Sequence, residues 1–247
     1  MRTAVWLLIH LVLVLIGFIA GNSNFLSSLV GRELAVGASA SLIAAGITGF
    51  SVVFHNLYAD KREILKNRIY DMGLRNIFNG RSVVIKSEYS TRIVSASTID
   101  VMGFGLSAFR QDYGDKFASL SASKKIRVLL LHPSYPDSNF SFANQRDVEE
   151  HNSTGSIAGD IVQFIRSSQD ARDLHPHNFE IRLMTCLPSI NLFRFDGEML
   201  WGPYLVGDQS RNMPTFLLVK GDFLFDRLAE HFEIIWNDPI LSTPVQG

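Results

Sequence analysis

After Glu33 the chain carries no charged side chain until it has passed Phe54, a run long enough for one helix to cross a hydrocarbon core of roughly 30 Å. The stretch reads as a membrane span. It is dense in small residues, which let helix backbones approach closely in lipid, where burial of oily side chains gives little drive to associate. Gly37, Ser41, Ala45 and Gly49 recur every four residues, and that spacing predicts one close-packed face, suited to contact between copies of the chain. No helix breaker follows until Gly73, so the helix is expected to leave the bilayer unbroken and carry whatever folds beyond it.

A second apolar run, Ala4 to Ala20, precedes this one. It exceeds the ~7–15 residue core of a secretory signal and ends without a small-residue cleavage site, so it reads as a retained span. The polar connection from Gly21 to Arg32 is short, which predicts a two-helix hairpin over 1–55. Arg2 and the group Lys61, Arg62, Lys66 and Arg68 flank the pair, and the positive-inside rule then puts both termini in the cytoplasm of a bacterial inner membrane. His10, in the middle of the first span, reads either as a pore-lining or proton-sensitive group or as a neutral imidazole bonded to Ser39 or Ser41.

Setting the spans aside leaves about 190 residues, one domain of ordinary size. We divide them into a neck helix over 56–80 and a cytosolic α/β domain over 81–247. The net charge of −1 advertises no basic surface, and on that ground no nucleic-acid partner is expected. A single cysteine, Cys186, excludes disulfides within the chain and a cysteine-based zinc site. No cofactor or metal is expected; His175 and His177, near Asp173, lack a third ligand.

Within the domain, Thr98–Gly103, Ile126–Leu131, Phe179–Leu187, Asn191–Phe195, Met199–Val206 and Thr215–Val219 read as strands. Asp196-Gly197 marks a tight turn between two of them. Helical spacing runs from Leu106 to Leu120, through Ile157, Ile161, Phe164 and Ile165, and from an Asp222 cap through Phe225 to Trp236. Strands alternating with helices, then a hairpin and a closing helix, make an α/β domain.

The series TIDVMGFGLSAF, IRVLLLHP with Arg146 after it, FEIRLMTCLP, LFRFDGEMLWGPYLVG and FEIIWND resembles the phospholipase D-like fold, roughly from Ser87 to Asp238. The resemblance implies an α/β sandwich domain following the two transmembrane helices. It also implies a histidine two residues before a lysine in active members, and none of the seven histidines here has that neighbour. Phe193, Arg194 and Phe195 stand where the motif would be. The resemblance therefore carries the fold and argues against its chemistry, and an enzyme is not the favoured reading. A serine nucleophile at Ser107 fares no better, because Phe109 occupies the place of the second glycine of an elbow.

Strand ends in α/β sheets, and helix starts beyond them, are where ligands settle. Gly105, Ser107 and His132 occupy two such ends, while Arg146, Arg194 and Tyr204 can neutralise or stack on a ligand placed there. The favoured reading is a membrane-anchored sensor-effector for a small anionic ligand such as a nucleotide, acting in the lipid bilayer as a homo-oligomer, in bacterial stress or antiviral defence. Its rivals are a membrane-tethered phosphodiesterase with an altered site and a membrane scaffold for a protein partner.

Overall fold

A computed structural model of the chain describes residues 2–80 and 83–245. It divides into two compact units, residues 1–68 and 69–247. The side chains of Arg2, Lys61 and Arg62, on which the charge-based orientation draws, lie outside the described residues, as does the 81–82 edge of the expected domain.

In the first unit, α1 (Arg2–Gly21), α2 (Asn24–Val30) and the start of α3 (Arg32–Asp71) are helical. The connection between the apolar runs is thus a short helix with Phe25 and Leu29 exposed, not a plain polar loop. Among the described residues α3 is the one helix long and apolar enough to cross a membrane; the apolar part of α1, Val5–Gly21, is shorter. The two helices pack antiparallel. A Cβ on Gly17 would sit 2.9 Å from the Ser39 carbonyl oxygen, and one on Gly46 would sit 2.9 Å from that of His10.

This packing divides the expected seam. Gly49 lies against the His10 imidazole, whereas Gly37, Ser41 and Ala45 are exposed and a Cβ on Gly37 would meet nothing within 4 Å. The reason is helical drift: a four-residue step turns about 400°, some 40° past a full turn, so three steps carry Gly49 onto a different face from Gly37. The covered face is instead that of Ala35, Ser39, Gly46 and Gly49. His10 does not reach Ser39 or Ser41, whose hydroxyls donate to their own helix at Ala35 O and Gly37 O. Its Nδ1 is buried with no hydrogen-bond partner.

The second unit begins with the last turn of α3. The expected neck helix over 56–80 stops at Asp71, because Gly73 adopts φ +89 and turns the chain into β1 (Leu74–Phe78). A side chain at Gly73 would also collide with Asp222. The domain proper therefore opens earlier than residue 81. After α4 (Val83–Ser95) come β2 (Thr98–Gly103), α5 (Ser107–Tyr113), α6 (Phe117–Ser121), β3 (Lys125–Leu131), α7 (Phe142–Glu149), α8 (Ser156–Ser167) and α9 (Gln169–Leu174). The chain closes with β4 (Phe179–Met184), β5 (Ile190–Phe195), β6 (Glu198–Pro203), β7 (Thr215–Val219), α10 (Phe223–Asn237) and β8 (Ser242–Pro244).

The fold is mixed α/β around one eight-stranded sheet of order β1-β7-β6-β5-β2-β3-β4-β8. Its centre, β2-β3-β4, is parallel, and the flanking pairs are antiparallel. Strands buried on both faces alternate between two cores. One face, with Val101, Val128 and Phe193, packs on Ile85, Phe109, Phe117 and Phe164 of the helices that follow the strands. Phe109, Phe117 and Phe164 sit with ring centroids 5.2–6.3 Å apart, contacts each worth about 0.5–1.5 kcal/mol beyond burial. The other face, with Met102, Leu129 and Leu192, is covered by Phe225, Phe232 and Trp236 of α10. The single long helix expected from Leu106 to Leu120 breaks at Gly114–Lys116, a 3₁₀ turn that redirects α6 under the sheet.

Candidate functional site

β2 ends at Gly103, and the chain must turn at once into α5. Leu106 makes that turn in the left-handed region (φ 50, ψ 36), an uncommon conformation for a branched side chain. Gly103 and Gly105 are small for a different reason, since neither has positive φ. A Cβ on Gly103 would lie 2.8 Å from the Tyr204 hydroxyl, and one on Gly105 would lie 3.0 Å from Cβ of Asp160. The Gly-x-Gly pattern thus lets Tyr204 and α8 close in on the strand end.

Beyond that end lies a cavity of about 310 Å³. Gly105, Leu106, Ser107, Ala108 and Gln111 line it from the β2–α5 side, Glu150 and Asn152 from the end of α7, Ser156, Ile157 and Asp160 from α8, and Tyr204, Gln209 and Ser210 from the segment after β6. Tight turns form its rim: His151 (φ 58), Gly155 (φ 88) and Gly207 (φ 91) join Leu106 in positive φ. The two glycines adopt this conformation freely, whereas Leu106 and His151 are strained by it, and such strain persists where the surroundings over-determine it, commonly at ligand sites. Tyr204 is fixed by accepting a hydrogen bond from the Phe104 N–H at 3.2 Å and by an edge contact to the Phe104 ring.

Of the residues expected at the site, Gly105, Ser107 and Tyr204 meet in this cavity. Arg146 stands behind it, only 2% exposed and fully engaged: Nε donates to Glu150, Nη1 to Glu149 and to the Leu205 carbonyl, and Nη2 to the Asp208 carbonyl. It therefore fastens the 205–208 loop and cannot also neutralise an anion. Arg194 is elsewhere, on the α10 face of the sheet, bonded to Asp100 and Glu233. His132 is a turn residue at the end of β3, its Nδ1 accepting from the Ser134 N–H. Neither lines the cavity.

The start of α8, a natural anion site, is likewise closed. Asp147, completely buried, accepts from the N–H groups of Gly155 (2.8 Å) and Ile157 (3.1 Å), and burial pushes its carboxyl above the usual range despite those bonds. Sequence reading missed Gln111, Glu150, Asn152, Asp160, Gln209 and Ser210. Asp160 had a signal: it falls beside the Ile157, Ile161 and Phe164 stripe by helical spacing, where a carboxylate is out of place unless it faces a partner or a cavity. Among the described residues no cluster of three or more His, Cys, Asp or Glu side chains could hold a metal.

No family model matches the chain, and no curated protein matches it. Among solved structures, the chain is similar to TrmBL2, an archaeal chromatin protein described as showing a novel mode of DNA binding, with 13% identity, a TM-score of 0.39, and coverage of 80% of this chain and 68% of that one. The expectation that nucleic acid is excluded does not stand. It drew on net charge, which averages over the chain and is blind to how charge is distributed.

Proposed function

We propose that the protein is a membrane-anchored ligand sensor whose cytosolic α/β domain binds a small polar molecule and passes the event to its membrane helices. The cavity at the end of β2 carries this reading: it is concave, lined by a few convergent polar groups on an apolar base, and placed where ligands bind in such sheets. The membrane half is supported by the charge-free run in α3 and by its close packing on α1 through glycines, the mode of association suited to lipid. A route between the halves is supported by connectivity: the segment after β6 that lines the cavity runs into β7, β7 pairs with β1, and β1 begins just past the end of α3.

The domain is read as a non-catalytic, phospholipase D-like one. Arg194, which stands where the resembled fold keeps its histidine and lysine, is neutralised on the α10 face, and this favours binding over phosphodiester chemistry. The anionic character expected of the ligand is not carried forward, because both arginines assigned to it are already paired.

The membrane arrangement has a direct test. In a Cys186→Ser background, Ser27→Cys should react with an impermeant thiol reagent in intact cells and Asn67→Cys should not. Reversed labelling would remove the domain from the cytoplasm and sink the reading.

A further inference from the structure

We infer that the cavity takes a small organic cation, an amine held by Asp160; this rests on the ligand-binding reading of the same cavity. Among the described residues around it, Asp147, Glu149, Glu150 and Asp160 stand against Arg110 and Arg146, and the balance of these charges is negative. Neither guanidinium lines the cavity: Arg146 donates four bonds within the fold, and Arg110 donates to Asp160 Oδ1 at 3.2 Å. Among the described residues no lysine lines the space.

The two lining carboxylates differ. Glu150 has partners within the fold on both oxygens: Oε1 accepts from Arg146 and from the N–H and hydroxyl of Ser210, and Oε2 accepts from the Asn152 amide at 3.4 Å. Asp160 has a partner only on Oδ1 among the described residues, and its side chain is still 30% exposed. A carboxylate half-withdrawn from water with an open oxygen is best matched by a cationic donor, since charge-assisted hydrogen bonds are roughly twice as strong as neutral ones. An ammonium offers three donors, and Ser107 and Gln111 add acceptors to the lining of the same cavity. Phe104, Leu106 and Tyr204 provide apolar lining for the carbon chain of such a ligand.

The test uses the full-length protein in detergent micelles, titrated by calorimetry with agmatine as the cationic probe, inositol as the neutral one and AMP as the anionic one. Agmatine should bind and AMP should not, an order that needs no variant. Asp160→Asn, which keeps the shape and removes the charge, should weaken agmatine about tenfold or more. Ala108→Trp, which fills the cavity from the start of α5, should abolish binding. AMP or inositol binding that Ala108→Trp blocks, with agmatine silent, would overturn the cation and leave the cavity as a ligand site. Agmatine binding indifferent to Asp160→Asn would overturn the assignment of Asp160. Silence from all three probes, or agmatine binding that survives Ala108→Trp, would overturn the cavity reading and the cation together.

Discussion

Asp100→Ala should destabilise the domain by about 3–5 kcal/mol, the usual cost of leaving buried charges without their partner. Asp100 is directly opposite Arg127 on β3 and Arg194 on β5, so the sheet register itself lines up a cation, an anion and a cation across three strands. Its side chain is 4% exposed and those of the arginines 16%. Arg127 and Arg194 each donate to it at 2.6 Å through Nε, and both also reach Glu233 on α10. Above the triplet, the Phe232 ring lies 5.0 and 5.7 Å from the two guanidinium groups. Without the aspartate two guanidinium groups remain under α10 with one half-exposed glutamate to share. Chemical denaturation read by far-ultraviolet circular dichroism measures the loss, and a change below about 1 kcal/mol, typical of surface pairs, would contradict it.

Glu233 adds a pH signature to the same network. Its hydrogen bond from Arg127, joined by that from Arg194, holds its carboxyl well below the ordinary 4.5, at about 2. A depressed carboxylate stabilises the fold above its unfolded value and loses that contribution as the pH falls through the folded one. Stability should therefore decline between about pH 5 and pH 2, and Glu233→Gln should flatten that slope.

Gly46→Leu should break the packing of the two N-terminal helices, at an overpacking cost on the order of 1–3 kcal/mol or more. A Cβ there would already sit 2.5 Å from Val14 Cγ2 and 2.9 Å from a backbone oxygen that cannot swing aside. Gly37→Leu, on the exposed face, is the control, because a Cβ there meets nothing. In mixed micelles titrated with SDS, the helix-loss midpoint should fall for the first variant and hold for the second. Equal effects from both would mean that the hairpin is not packed through Gly46.

Periodicity and turn chemistry made much of this legible beforehand. The strand over Thr215–Val219, the Asp196-Gly197 turn and the unbroken run of α3 past Phe54 follow from apolar patterning and glycine punctuation, signals that act over a few residues. Where the readings missed, the deciding contact lay far away in sequence. β1 is a short edge strand whose apolar residues gain a partner only from β7, so its segment looked like more neck helix. Asp222 looked like a helix cap, but its carboxylate is engaged by Arg75 at 2.8 Å. Arg194 looked like a phosphate ligand until the register showed Asp100 beside it. The cavity could be half seen: Gly105 and Ser107 mark a strand end by local pattern, whereas Glu150, Asp160 and Ser210 come together only through the packing of α7, α8 and the segment after β6.

Action of a ligand in this cavity on the proposed membrane helix is read by hydrogen–deuterium exchange of the full-length protein in nanodiscs, with and without saturating agmatine. Exchange should slow over 104–111, 150–160 and 204–210 and change in the part of α3 beyond the apolar run, 56–71. Protection at the cavity with 56–71 unchanged would contradict the coupling, and protection confined to other parts of the domain would contradict the site.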